Sequence, residues 1–188
     1  MNTPIYHVGC SANCSDPDVA DNKATRSVTL EFNREQLLYD IKNYAYIEGS
    51  VMDTESNHKR HMVQDVGEEG NVDRMTRVLD LTMAKCRETL YPYTKHDIHR
   101  PELDDKLKEV PTYGIVLSVP TQFSQTTLNL LGKLIHEYLV CECVADWMSI
   151  TNPAKQQTWK EKAEDAISEV RACLLTRMAR VRRRSHPF

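Results

Sequence analysis

Histidines and cysteines are the first residues whose spacing suggests chemistry. His7, Cys10 and Cys14 fall close together near the start, His58 and His61 are three residues apart, and so are His96 and His99. Each set is half of what zinc requires, because the ion takes four ligands, usually as two close pairs whose short loops lower the cost of closing the site. None of them belongs to a CxxC…CxxC or Cys2His2 pattern at the usual spacing. The plainer reading is loop histidines beside incidental thiols, so no metal ligands are assigned. Acid–base candidates are His136, Glu137 and Asp146, followed by Glu161, Glu164 and Asp165. Adjacent helical residues point about 100° apart, so His136 and Glu137 do not converge on one atom. Asp146, next to Trp147, reads as a helix-surface group or a subunit contact. Walker, GxGxxG, GxSxG and HExxH motifs are absent, and there are six glycines in 188 residues. Phosphate cradles and nucleophile elbows use glycine where backbone must approach a ligand or take positive φ. No catalytic or cofactor-binding residue is assigned, no cofactor is expected, and the chain is not expected to be an enzyme.

The elements that must position these residues follow from periodicity. Residues 27–32 alternate Val28, Leu30 and Phe32 with polar residues, as a half-buried strand does. Asn33 with Gln36 then forms a helix-start box, the glutamine reaching back. Leu37, Leu38, Ile41, Tyr44 and Ala45 make an apolar stripe that Gly49 is expected to end. Residues 53–70 are polar and read as loop. Asn71 is expected to cap a second helix with the stripe Val72, Met75, Val78, Leu79, Met83, Cys86 and Leu90, stopped by Tyr91-Pro92. Residues 91–112 read as a connector with one helical turn near 102–108. A second strand follows at 113–119, then a long helix over 124–150. Leu130, Val140 and Cys141 widen that helix's stripe, as burial on more than one side requires. Asn152-Pro153 is a cap and first-turn proline for a last helix carrying Trp159, Ala163, Ala166, Ile167, Val170, Cys173, Leu174, Met178 and Val181.

These elements predict a mainly α fold: a four-helix-type bundle with a long C-terminal helical hairpin and a minor two-strand β element. Residues 1–26 form an extended N-terminal arm, 27–179 the bundle domain, and 180–188 a basic tail. The first twenty residues lack a basic start and an apolar stretch, and no apolar run approaches the roughly 18 residues of a membrane span. A soluble protein made inside a cell, without a membrane partner, is expected. The six cysteines are then free thiols, four of them inside apolar helical patterns.

Charge is unevenly placed. The formal net charge of −3 divides into +6 over residues 171–188 and −9 over the rest. Arg177 and Arg180 suit a helix C-terminus. Four arginines within residues 180–184 exceed that need and suit an acidic protein groove or phosphates. No aromatic residue interleaves with them, and the acidic body would repel DNA.

The second half, FSQTTLNLLGKLIHEYLVCECVADWMSITNPAKQQTWKEKAEDAISEVRACLLTRMARVRRR, joins a tyrosine-bearing helix, an Asn-Pro turn and a Trp159 helix ending in arginines. In this it resembles small neck proteins of tailed bacteriophages, more narrowly the head–tail connector, or adaptor, proteins that form a ring beneath the portal. The segments TLEFNREQLLYDIKNYAYIEG and VDRMTRVLDLTMAKCRETLYPYT are similar to structural proteins of Bacteroides-type gut phages. The likeness spans about residues 27–184 and lies in helix pattern and phrasing.

The resemblance implies a non-enzymatic ring subunit in about twelve copies, assembled in the host cytoplasm and located at the neck of the virion. Its implied partners are the portal protein, neighbouring neck or tail rings, and DNA that passes without sequence-specific contact. Arg180, Arg182, Arg183, Arg184 and Phe188 would be the portal-contact residues, and the arm would lie on a neighbouring subunit or the next ring. The long arm and the 91–112 connector depart from the smallest adaptors. Another neck or tail-completion ring is the alternative. A nucleic-acid-binding helical protein acting through its arginine tail is a third reading.

Overall fold

The computed structural model describes residues 25–52, 56–91, 93–94 and 111–175. Of these, 76% are helical, in five helices, and two strands form an antiparallel sheet. The connector's proposed turn at 102–108 lies outside the described residues.

Strand β1, Thr25–Asn33, pairs with β2, Thr112–Pro120, over nine residue pairs running from Thr25↔Pro120 to Asn33↔Thr112. The alternation behaves as period-two patterning demands. Tyr113, Ile115, Leu117, Val119 and Phe32 are buried, Val28 and Leu30 pack against the core, and Thr25, Ser27, Thr29 and Glu31 face solvent. β1 starts two residues before the alternation suggested, since Thr25 and Arg26 pair with Pro120 and Val119, and the Arg26 guanidinium donates to the Phe123 carbonyl just beyond β2 at 3.1 Å.

Helix α1, Arg34–Val51, is capped as expected: the Asn33 side chain accepts from the Glu35 N–H at 2.8 Å. Gln36 does not reach back; it donates forward to Asp40 at 3.2 Å. Nor does Gly49 end the helix. It lies inside α1 and is buried, and a Cβ there would sit 2.7 Å from Gln64 Cγ and 3.1 Å from the Arg60 carbonyl. Glycine is needed at this point for close approach, not for a left-handed stop.

What approaches is a helix that periodicity missed. Residues 53–70 were expected to be loop, yet α2 spans Asn57–Gln64 and a 3₁₀ turn follows at Asp65–Gly67. One residue of α2, Val63, is buried, with Val66 just beyond, so there is no stripe to detect. Tertiary caps supply what the stripe lacks. Helix ends leave carbonyls unpaired; the Val63 carbonyl in the last turn of α2 accepts from the buried Trp147 indole at 2.7 Å. Arg60 Nε returns the favour at 3.2 Å to the carbonyl of Met52, the residue that ends α1.

Helix α3, Glu69–Thr89, begins before Asn71, which sits in its first turn and donates its side-chain amide to the Asp65 carbonyl at 2.8 Å. Met75, Leu79, Met83, Cys86 and Leu90 are buried along one face. Helix α4, Gln125–Thr151, is buried on several sides, with Val140 and Cys141 inside; Leu130, however, is 46% exposed and takes no part in the core. Pro153 opens α5, Pro153–Leu175, and α5 packs along α4 in the largest helix–helix contact among the described residues. Trp159, Ala163, Ala166, Ile167, Val170 and Leu174 are its buried residues. Met178 and Val181 lie outside the described residues.

Candidate functional site

The histidine and cysteine sets do not assemble. His58 and His61 are exposed on α2, and among the described residues no three His, Cys, Asp or Glu side chains could hold one metal ion. His96, His99, His7, Cys10 and Cys14 lie outside the described residues. Asp146, read as a surface group or subunit contact, pairs with Arg74 of α3 at 2.9 Å, both partly exposed. Such a pair contributes on the order of 0–1 kcal/mol.

His136 and Glu137 diverge as expected of neighbours and reach two different side chains, although both of these stand on α1. His136 Nε2 lies 2.8 Å from Asp40 Oδ2, and Glu137 accepts from the Tyr44 hydroxyl at 3.2 Å. Both partners are on α1, one turn apart. The contacts continue along that helix: Gln36 reaches Asp40, and Glu48 accepts from the Trp159 indole of α5 at 3.1 Å. Gln36, Asp40, Tyr44 and Glu48 recur every four residues, and such rows form the ridges by which helices pack. Trp159 closes the ladder, tilted against Tyr44 with ring centroids 5.1 Å apart and carrying the Lys162 ammonium over its outer face at 3.9 Å. The sequence held the signal in that four-residue recurrence, which an apolar-stripe reading passes over.

Chemically, a histidine–carboxylate couple becomes a general base when a hydroxyl or thiol stands on the imidazole's other side. Among the described residues no such group is hydrogen-bonded to His136, and the nearby Cys141 thiol donates to Glu137 at 3.6 Å instead. Burial pushes the Cys141 thiol up to about 12, with Glu137 adding to it, so it is not a nucleophile near neutrality. Cys86 rises to about 12 by burial, and Cys143, fully enclosed, rises well above its ordinary value. The expected description of these cysteines as small hydrophobes agrees with their places in the core.

Beside His136 runs an open groove of about 500 Å³ between β1 and α4. Leu30, Phe32, Leu128 and Gly132 line its apolar part; Thr29, Glu31, Asn129, Lys133 and His136 line the polar part. It is shallow and wide, suited to a strand or side chains of another chain more than to an enclosed small molecule.

Another surface lies on α1 opposite its buried stripe. Tyr39, Tyr46 and Ile47 recur at i, i+7 and i+8, are 64%, 60% and 47% exposed, and Val51 beyond them is more exposed still. The five residues assigned to the portal, Arg180, Arg182, Arg183, Arg184 and Phe188, lie outside the described residues. No helix among the described residues is long and apolar enough to cross a membrane. In comparisons with protein-family models, curated proteins and solved structures, none matches this chain.

Proposed function

We propose that this chain is a virion structural protein, a head–tail connector subunit in a ring of about twelve copies that joins portal to tail around the DNA exit channel. In this reading α1, α3, α4 and α5 are the four helices of the bundle, and α4 with α5 forms the long hairpin that stands beside its neighbours in the ring. The observation that supports it most is where the chain's unused binding capacity lies. It is on the outside, as the Tyr39–Tyr46–Ile47 face of α1 and the open flank of β1, and contiguous exposed apolar groups of this kind mark protein interfaces. The arginines at 180–184 would pair with acidic groups of the portal, bidentately where geometry allows, and Phe188 would fill an apolar recess beside them. The acidic balance of residues 1–170 suits a channel wall that lets DNA slide.

The test is to mix the full chain with the portal of its own phage and follow the complex by sedimentation, with and without residues 180–188. A stoichiometric complex that the deletion weakens by about tenfold or more is expected, since each tenfold is worth ~1.4 kcal/mol. Indifference to the portal, together with salt-steep binding to a DNA probe, would instead favour the nucleic-acid reading.

A further inference from the structure

The flank of β1 opposite β2 is open, and its hydrogen-bonding parity can be read from β2. In an antiparallel pair, opposed residues alternate between exchanging both backbone bonds and pointing both away. Ser118 donates its N–H to the Tyr93 carbonyl at 3.0 Å, and the Gly114 carbonyl accepts from Arg87 at 2.6 Å. Both therefore point away from β1. Their partners across the ladder, Ser27 and Glu31, with Thr29 between them, must point away from β2. Among the described residues nothing pairs with the outward N–H and C=O groups of Ser27, Thr29 and Glu31. An open edge of this kind, centred on Thr29, is the feature that folded sheets normally cover or blunt.

We infer that this edge is a homodimer surface, on which β1 of a second copy adds antiparallel to β1 across a twofold axis through Thr29. Three observations select a second copy. First, Thr29 is the midpoint of the strand, so the register centred on it pairs all nine residues of both strands. In that register Thr29 faces Thr29, and Ser27 faces Glu31 of the second copy; Arg26 faces Phe32, so no like charges are opposed. Ser27, Thr29 and Glu31 share the outward parity, while Arg26, Val28, Leu30 and Phe32 point toward β2, and residues 27–31 of the two copies exchange about six backbone hydrogen bonds. Second, β2's outer edge is taken at Ser118 and Gly114, which excludes the head-to-tail alternative of β1 on the next copy's β2 and leaves the isologous pairing. Third, Val28 and Leu30 are half-buried on the side of the sheet that bears the groove. Adding a strand sets their counterparts beside them and encloses that apolar flank, and cross-strand apolar pairs are the unit of sheet stability.

This inference stands apart from the connector reading. A dyad contact does not close a ring, so a dimer of this kind would open, or pair two rings, when a ring assembles.

Two measurements on the full chain decide it. The first is native mass as a function of concentration, for the wild type and for Thr29→Pro. The Thr29 N–H points outward, so proline removes no bond to β2, and proline is tolerated on edge strands. A wild-type dimer and a dissociation constant at least about tenfold higher in T29P, with unchanged circular dichroism, are expected. The second is residue-resolved amide exchange on the wild type alone, which does not depend on the variant folding. Val28 and Leu30 amides, bonded to β2, should be protected at every concentration. Ser27, Thr29 and Glu31 should gain protection only as the dimer forms. A chain monomeric at its highest soluble concentration would overturn the inference. So would a dimer whose odd-numbered amides exchange freely, or a monomer in which they are already protected, since another segment would then occupy the edge.

Discussion

At the scale of single residues, the titratable core argues for a molecule built to stay packed. Cys86, Cys141 and Tyr138 are pushed by burial to about 12, and Tyr113 is raised further by burial and by donating its hydroxyl to Asp80 at 2.7 Å. Each is neutral in the fold and loses its proton more readily when unfolded. The unfolded chain therefore binds fewer protons as pH climbs, and the stability these groups contribute, fully present below the ordinary thiol value near 9, is lost as pH approaches about 12. Chemical denaturation midpoints should fall steadily above pH 9, and tyrosine absorbance should show the late-titrating phenols ionising together with unfolding. A midpoint flat through pH 11 would contradict this. Gly49 makes a second residue-scale case. Ala elsewhere in a helix gains up to ~1 kcal/mol over Gly, and Gly132 in α4, where a Cβ meets nothing within 4 Å, should show such a gain. Gly49→Ala should lose about 1 kcal/mol net, a fall in melting temperature of roughly 2–4 °C, because the new Cβ meets Gln64 and the Arg60 backbone.

At the scale of elements, α2 depends on its neighbours more than any other helix. Eight residues with one buried side chain form no stable helix alone; the Trp147 indole on Val63 and the close passage at Gly49 hold it. Trp147→Phe keeps most of the ring's packing but leaves a buried carbonyl without its donor, at a cost of about 1–3 kcal/mol. Amide exchange in residues 57–67 should accelerate while α4 and α5 stay protected; uniform acceleration would mean that α2 and the body unfold together. This helix also marks the limit of what was legible. The strands, α3, α4 and α5 follow from periodic apolar residues, and β1–β2 pairing followed from there being two half-buried strands to satisfy. The sequence of α2, NHKRHMVQ, has no apolar period, so only tertiary caps create it. The α1 ladder was hidden for a related reason. Asp40, Tyr44 and Glu48 are a polar row whose partners, His136, Glu137 and Trp159, lie about a hundred residues away. The open β1 edge needed the register of the sheet, and hence the structure.

At the scale of the whole molecule, the described residues form one body with a single core and with binding capacity on its outside: the tyrosine face of α1, the groove and the β1 edge. In the proposed connector such surfaces would go to neighbours, and its work would be geometric, holding rings in register while DNA passes. The arginine-rich end proposed to meet the portal begins at Arg180, five residues after α5 ends at Leu175. The account stands or falls on where the protein resides in the particle. On the proposed function, the measurement is electron cryomicroscopy of intact virions of the proposed phage, with the neck reconstructed in its own symmetry. The account predicts a ring of this helical body directly beneath the portal, its C-terminal arginines against acidic portal surface. Purified infectious particles that lack the chain, or that carry it away from the portal–tail axis, would contradict it.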